Sequence, residues 1–193
     1  NPIVQIGVYN SRPEEGPVDF TIQMRDFAPK DTYPRHVRVW SDIYDMALEG
    51  VNANDASMQE RAGKDQLSDK IFTYGEVNFA NFLPMLDFLR PQSNEIFYDL
   101  GCGSGQPLMI ASLAYPKLRV CRGIELLEGL ARLGDEVCGK LTGISNYRGV
   151  PCAPITVTLG DVLVEDWLDA DIIFAASVCF PDQLLNAISD RCS

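Results

Sequence analysis

The stretch Ile96-Phe97-Tyr98-Asp99-Leu100-Gly101-Cys102-Gly103-Ser104-Gly105-Gln106 constrains this chain more than any other. An apolar run with strand character ends in an acid, gives way to glycine at every second position, and leads into the helical stretch Gln106–Ala114. Glycines at that spacing let the backbone turn sharply and come close to a ligand, while the free N–H groups at the start of the following helix point at it. A strand, tight turn and helix in this order belong in an α/β fold.

The rest of the chain supplies the partners such a unit needs. Apolar strand candidates at Glu95–Leu100, Leu118–Glu125, Ile155–Leu159 and Asp171–Ala176 alternate with helical stretches at Gln106–Ala114, Leu126–Lys140 and Pro181–Ser189. This alternation predicts parallel β-α-β units in a doubly wound sheet. Before it, Glu76–Leu89 carries apolar residues at helical spacing and is ended by Pro91-Gln92-Ser93-Asn94, while the glycines and prolines of Leu141–Ala153 predict a loop. Residues 1–70 are irregular, with a strand expected at Pro17–Met24 and a helix at Ser41–Glu49. The expected division is an N-terminal extension, residues 1–70, that forms a small irregular α/β region, followed by a ligand-binding domain, residues 71–193. The chain stops directly after a helix that ought to lead into another strand, so further C-terminal strands of the sheet are expected outside it.

Composition removes several classes. With 193 residues, 46% apolar and 22% charged, the chain suits one domain with an extension rather than a disordered or collagen-like protein. A net charge of -11 argues against broad attraction to nucleic acid and is compatible with a basic protein partner. The longest uncharged run, Gly101–Pro116, is broken by glycine, serine, glutamine and proline, so no membrane-spanning helix is expected. The start, Asn1-Pro2-Ile3-Val4, lacks the basic and apolar segments of a secretory signal. Six cysteines show no C-x-x-C pair and read as reduced, buried thiols of an intracellular protein, and no Cys/His spacing suggests a metal site.

The loop itself discriminates among nucleotide ligands. A dinucleotide G-x-G-x-x-G pattern would need glycine where Gln106 stands, and no Gly-Lys-Ser/Thr closes a phosphate loop. Asp99 with Gly101, Gly103 and Gly105 gives D-x-G-x-G-x-G, which favours S-adenosylmethionine over NAD. Glu125 ends the next strand 20 residues after Gly105, where a carboxylate can accept both ribose hydroxyls, and Asp161 ends the third strand, where it can accept the adenine amino group. The alternative for Glu125 and Asp161 is a purely local role, capping helices or turns.

Tyr74-Gly75-Glu76, the loop Asp99–Gln106, Gly123-Ile124-Glu125 and Gly160-Asp161 together resemble the disruptor-of-telomeric-silencing family of histone lysine methyltransferases, enzymes without a SET domain, over about residues 71–182. The resemblance implies a Rossmann-like class I methyltransferase sheet, S-adenosylmethionine as cofactor, a histone or nucleosome as substrate and a nuclear location. It also implies that Tyr74 and Glu76 close over the methionine part of the cofactor, and that Asp99, Gly101, Gly103 and Gln106 line its pocket. Glu125 would hold the ribose, and Asp161 with Val162 would face the adenine. Where the family has Asn-Asn-Phe-x-Phe, this chain reads Ala176-Ser177-Val178-Cys179-Phe180, keeping Phe180 and replacing the asparagines. Leu126 stands where the family commonly has a polar residue. Tyr74, Ser177 and Phe180 are the candidates at the reacting centre, and Tyr74, Phe180 and Phe79 are candidate walls of an acceptor-lysine channel.

Methyl transfer from a sulfonium is chiefly a matter of orientation and desolvation, so no catalytic triad is expected. The single histidine, His36, reads as a surface or packing residue. The basic group Arg25, Lys30, Arg35 and Arg38 suggests a weak DNA contact, but interspersed Asp26 and Asp31 favour a solvated charged face. Two other readings stay open: a class I methyltransferase with a small-molecule or non-histone acceptor, and a module that binds S-adenosylmethionine without turnover.

Overall fold

The computed structural model describes residues 3–10, 18–23, 30, 33–53, 55, 58, 77, 79–176 and 180–192. Strands β1 (Ile3–Asn10), β2 (Val18–Gln23), β3 (Ile96–Leu100), β4 (Val120–Glu125), β5 (Ile155–Leu159) and β6 (Ile172–Ala175) form one sheet in the order β2-β1-β6-β3-β4-β5. Helices α1 (Arg35–Leu48), α2 (Phe79–Leu89), α3 (Gln106–Ala114), α4 (Glu128–Arg148) and α5 (Asp182–Arg191) accompany it. β6, β3, β4 and β5 run parallel, with Tyr98 opposite Ile173 on one side and Arg122 on the other. This is the expected α/β, Rossmann-like arrangement, and it brings the ends of β3, β4 and β5 side by side.

The sheet is covered on both faces, and its central strands β3 and β6 are buried at every position. On one face Phe97, Cys121, Ile172 and Phe174 pack beneath α1 to α4 with Leu86, Leu108, Met109 and Leu141. Phe82 of α2 anchors this layer, its ring 4.8 Å from that of Phe174 and edge-on to it. On the other face Tyr98, Leu100, Ile124 and Ile173 meet Trp167 and Ile188 of α5. α3 is buried along nearly its whole length, which explains why its apolar residues show no single stripe. At roughly 1.5–3 kcal/mol for each large apolar side chain fully buried, these two layers dominate the stability of the fold.

The sheet extends past β6 through β1, which pairs antiparallel with both β6 and β2. Pro17–Met24 does contain β2, whereas no strand was expected at β1. One expectation needs correction, the loop at Leu141–Ala153. Rather than being a loop from Leu141, the chain continues α4 to Arg148, and the loop is confined to residues 149–154. The buried stripe Leu130, Val137, Cys138, Leu141 and Ser145 carries the helix through. Gly143 lies on its open side, where an added Cβ would meet nothing. The helix ends at Gly149, whose φ of 65° suits glycine, and Val150 N–H donates to Ser145 O at 2.9 Å. The α1 helix likewise starts earlier than Ser41, directly after Pro34.

The cysteines are unpaired as expected among the described residues, but not uniformly buried: Cys102, Cys121 and Cys138 are buried, Cys152 is half-buried and Cys192 is exposed. Cys179 lies outside the described residues. No described helix is long and apolar enough to cross a membrane, and no described cluster of His, Cys, Asp and Glu could hold a metal ion.

Leu141 is fully buried inside the extended part of α4. We predict that Leu141→Ala lowers unfolding free energy by about 2–5 kcal/mol in urea denaturation, as expected for a core cavity. A change within about 0.5 kcal/mol would return this residue to a surface loop.

Candidate functional site

β3 carries the site into the protein on Asp99, whose side chain is 1% exposed. The chain then turns through Gly101, Gly103 and Gly105, all at positive φ. Gly101 and Cys102 N–H groups both donate to Ile124 O, at 2.8 and 3.1 Å, which ties the loop to β4. Gly105, at φ 78°, begins α3 in a left-handed conformation that a side chain would strain. Behind the loop α4 presses so closely that a Cβ on Gly134 would sit 2.8 Å from Gly103 O. Gly134 was not singled out in the sequence. Its signal is a glycine in the middle of a helix, a placement that costs about 1 kcal/mol and calls for a packing reason.

Glu125 holds the loop from the end of β4. Its Oε2 accepts from Gly103 N–H at 2.8 Å and its Oε1 from Leu127 N–H at 2.9 Å. Each carboxylate oxygen thus accepts from one backbone N–H, and the side chain is fixed at the end of β4. Asp99 lies close by, and its Oδ2 is buried with no hydrogen-bond partner among the described residues. Burial pushes the Asp99 carboxyl well above the ordinary range, and the negative charge of Glu125 pushes it further the same way. The thiols around the loop are held neutral as well: burial and Asp135 push Cys138 up to about 12, and burial also raises Cys102 well above its usual value.

Gly160 N–H donates to Glu125 O at 2.9 Å, so Asp161 follows immediately beside the β4 end. Asp161 is exposed, and its Oδ1 accepts from Leu163 N–H at 2.8 Å. Glu125 and Asp161 thus both accept from the N–H two residues on, so each serves a local turn at the end of neighbouring strands. The half-buried Val162 is fixed through its carbonyl, which accepts from Trp167 Nε1 at 2.7 Å and from Arg191 at 2.9 Å. Arg191 also donates to Glu165 O at 2.8 Å, with its guanidinium 4.8 Å above the Trp167 ring. Neither Trp167 nor Arg191 was singled out in the sequence, because no spacing rule links them to Val162.

Gln106, 6% exposed at the start of α3, accepts at Oε1 from the Tyr44 hydroxyl at 3.0 Å. Tyr44 is a third residue missed in the sequence. Phe180 reaches the loop from the opposite side, its ring 3.1 Å from where a Cβ on Gly101 would stand. Phe79, a candidate channel wall, lies instead in the core against Tyr44, with ring centroids 5.5 Å apart. His36 is exposed and packs edge-on against Trp40, as expected. Lys30 is paired with Asp42 and Asp45 at 2.9 and 2.6 Å, which neutralises one member of the basic group. Leu126 is 51% exposed beside Glu125. Tyr74, Glu76, Ser177 and Arg25 lie outside the described residues.

The structure therefore brings Asp99, Gly101, Gly103, Gln106, Glu125, Asp161, Val162 and Phe180 to one edge of the sheet. Two neighbouring carboxyl groups, one with an unpartnered oxygen, suit a ligand with a positive centre, and the α3 N-terminus suits a negative one. S-adenosylmethionine carries both, so these residues fit that cofactor.

Asp99 also predicts a pH dependence. With its folded-state value raised, the folded protein holds a proton that the unfolded chain releases above about pH 4, so this residue makes stability fall as pH rises from there. Asp99→Asn should remove that slope, with the largest gain over the parent near neutral pH and the gap closing towards about pH 4 in paired denaturation curves. Parallel curves would show that Asp99 titrates normally.

Histone methylation protein DOT1 is the family that matches residues 64–192. A curated relative, the Caenorhabditis elegans "Histone-lysine N-methyltransferase, H3 lysine-79 specific", is 27% identical over 122 residues, covering 61% of this chain. The chain spans 13% of that protein's length. Among solved structures, the YcgJ protein from Bacillus is 15% identical with a TM-score of 0.31, over 45% of this chain and 32% of that one. Haemonchus contortus phosphoethanolamine N-methyltransferase 1, in complex with phosphoethanolamine and S-adenosylhomocysteine, is 15% identical with a TM-score of 0.32, over 68% of this chain and 22% of that one. Since the family match takes in the glycine loop, the acids that end β3, β4 and β5, and Phe180, this chain belongs to the DOT1 histone methylation family.

Proposed function

We propose that this chain is the S-adenosylmethionine-binding, catalytic part of a histone lysine N-methyltransferase that acts on a nucleosome core histone in the nucleus. The observation that carries the reading is the coincidence of the DOT1 match with a glycine loop flanked by acids at three adjacent strand ends. The nematode relative is named for H3 lysine-79, so that lysine is the acceptor to assay first. A net charge of -11 suits a basic histone better than free DNA. In this reading residues 71–193 form the cofactor-binding domain and residues 1–70 an extension that packs on it.

Bound S-adenosylmethionine supplies an already activated methyl group, so the protein's task is to place and dehydrate the acceptor amine. Glu125, at the end of β4, accepts from the ribose hydroxyls. Asp161 and Val162 border the adenine, held in place by Trp167 and Arg191. Asp99, Gly101, Gly103 and Gln106 surround the methionine part, with Tyr74 and Glu76 closing over it. Phe180, together with Tyr74 and Ser177, forms the wall of the lysine channel and keeps water from the amine. The replacement of the family asparagines before Phe180 favours one second reading, a class I methyltransferase with a different acceptor.

The test is transfer of a labelled methyl group from S-adenosylmethionine to reconstituted nucleosomes, free histones and small amines. Transfer to nucleosomes supports the proposal; transfer to small amines alone supports the second reading, and cofactor binding without any transfer leaves a non-catalytic module. For the cofactor site, Glu125→Ala should weaken S-adenosylmethionine binding by about 1.5–3 kcal/mol in calorimetric titration. Equal affinity in variant and parent would remove Glu125 from the site.

A further inference from the structure

Helix α1 lies before residues 64–192, the stretch that matches the family, yet it reaches the glycine loop. Its buried face presents Tyr44, whose ring packs against Phe79 and whose hydroxyl lies 3.0 Å from Gln106 Oε1 and 3.3 Å from Val77 O. A phenol has one hydrogen to donate, and of these two contacts the one to Gln106 is the shorter. With its oxygen engaged, the Gln106 amide has only N–H groups left to offer, and its nitrogen has no partner among the described residues. Gln106 opens α3, so those N–H groups stand at the positive end of that helix.

We propose that Tyr44 is a positioning residue for the cofactor's amino-acid end. It holds the Gln106 amide with its nitrogen turned to the carboxylate of the methionine part. The inference rests on the cofactor reading above and extends it, because it divides recognition of a zwitterion between two groups. The α3 N-terminus and Gln106 take the carboxylate, while Asp99 faces the positive centres. An amide is nearly symmetric in shape and can turn by half a rotation when nothing distinguishes its two ends. Without the Tyr44 hydroxyl, Gln106 can present its oxygen to the carboxylate, which repels it.

The hydroxyl can be removed gently. Tyr44→Phe keeps the ring against Phe79, and α1 retains its buried residues Val37, Ile43 and Ala47. The probes are S-adenosylhomocysteine and 5′-methylthioadenosine, which share the adenosine and thioether but differ in the amino-acid part. In calorimetric titrations Tyr44→Phe should weaken S-adenosylhomocysteine binding on the order of tenfold and leave 5′-methylthioadenosine binding unchanged. Gln106→Ala should show the same selective loss, and the double variant should lose little more than either alone, since both changes remove one interaction. Unchanged S-adenosylhomocysteine affinity in Tyr44→Phe overturns the proposal, and so does an equal loss for both ligands, which marks a structural role only. If the parent chain binds neither ligand, the cofactor reading itself falls and takes this assignment with it, an outcome distinct from loss of selectivity.

Discussion

The hydrogen bonds of the Glu125 carboxylate decide the shape of the site. One oxygen fixes the glycine loop at Gly103 and the other fixes the start of α4 at Leu127, so a single side chain joins β4, the loop and the helix behind it. That join makes the close contact at Gly134 possible, because α4 approaches the loop backbone only if its first turn is held at the right height. Such charge-assisted bonds to backbone N–H groups are among the stronger polar interactions a protein makes. Were Glu125 apolar, the N–H groups of Gly103 and Leu127 would both need other acceptors.

The same arrangement carries a cost. Asp99 is placed next to Glu125 in a buried setting with an oxygen left unpartnered, and neither burial nor the neighbouring charge favours its ionised form. A fold selected only for stability would fill that position with an apolar side chain of similar volume. A persistent local conflict inside an otherwise well-packed core is the usual mark of a site kept for a ligand. Nearby, thiols with raised values contribute bulk rather than reactivity.

Much of this was legible in the sequence because it depended on short-range pattern. The four parallel strands appear within a residue or two of their expected limits, since each is a short run rich in β-branched and other apolar residues between turn residues. Gly101, Gly103, Glu125 and Asp161 could be placed at a common edge from strand order alone. The misses have physical causes. Gly143 and Gly149 made the end of α4 look like a loop, although only Gly149 adopts a conformation that stops the helix. β1 contains Gly7 and pairs with a strand more than 160 residues away, a partnership that local pattern does not reveal. Tyr44, Trp167 and Arg191 act through single long-range contacts or tertiary stacking, which no periodicity encodes.

The sheet ends at β5, and that placement reaches beyond the site. Its five residues, Ile155 to Leu159, include neither charge nor proline, and Thr156, Thr158 and Leu159 are exposed. An edge of this kind is a template on which another chain's strand can add, and many proteins guard it with an inserted lysine or a bulge. β5 itself carries no such guard, and among the described residues no further strand pairs with its outer side, while the net charge of -11 repels approaching copies over a range of about 10 Å at 0.1 M salt. Pairing of copies through this edge is therefore expected to rise wherever ions or a basic partner screen that charge.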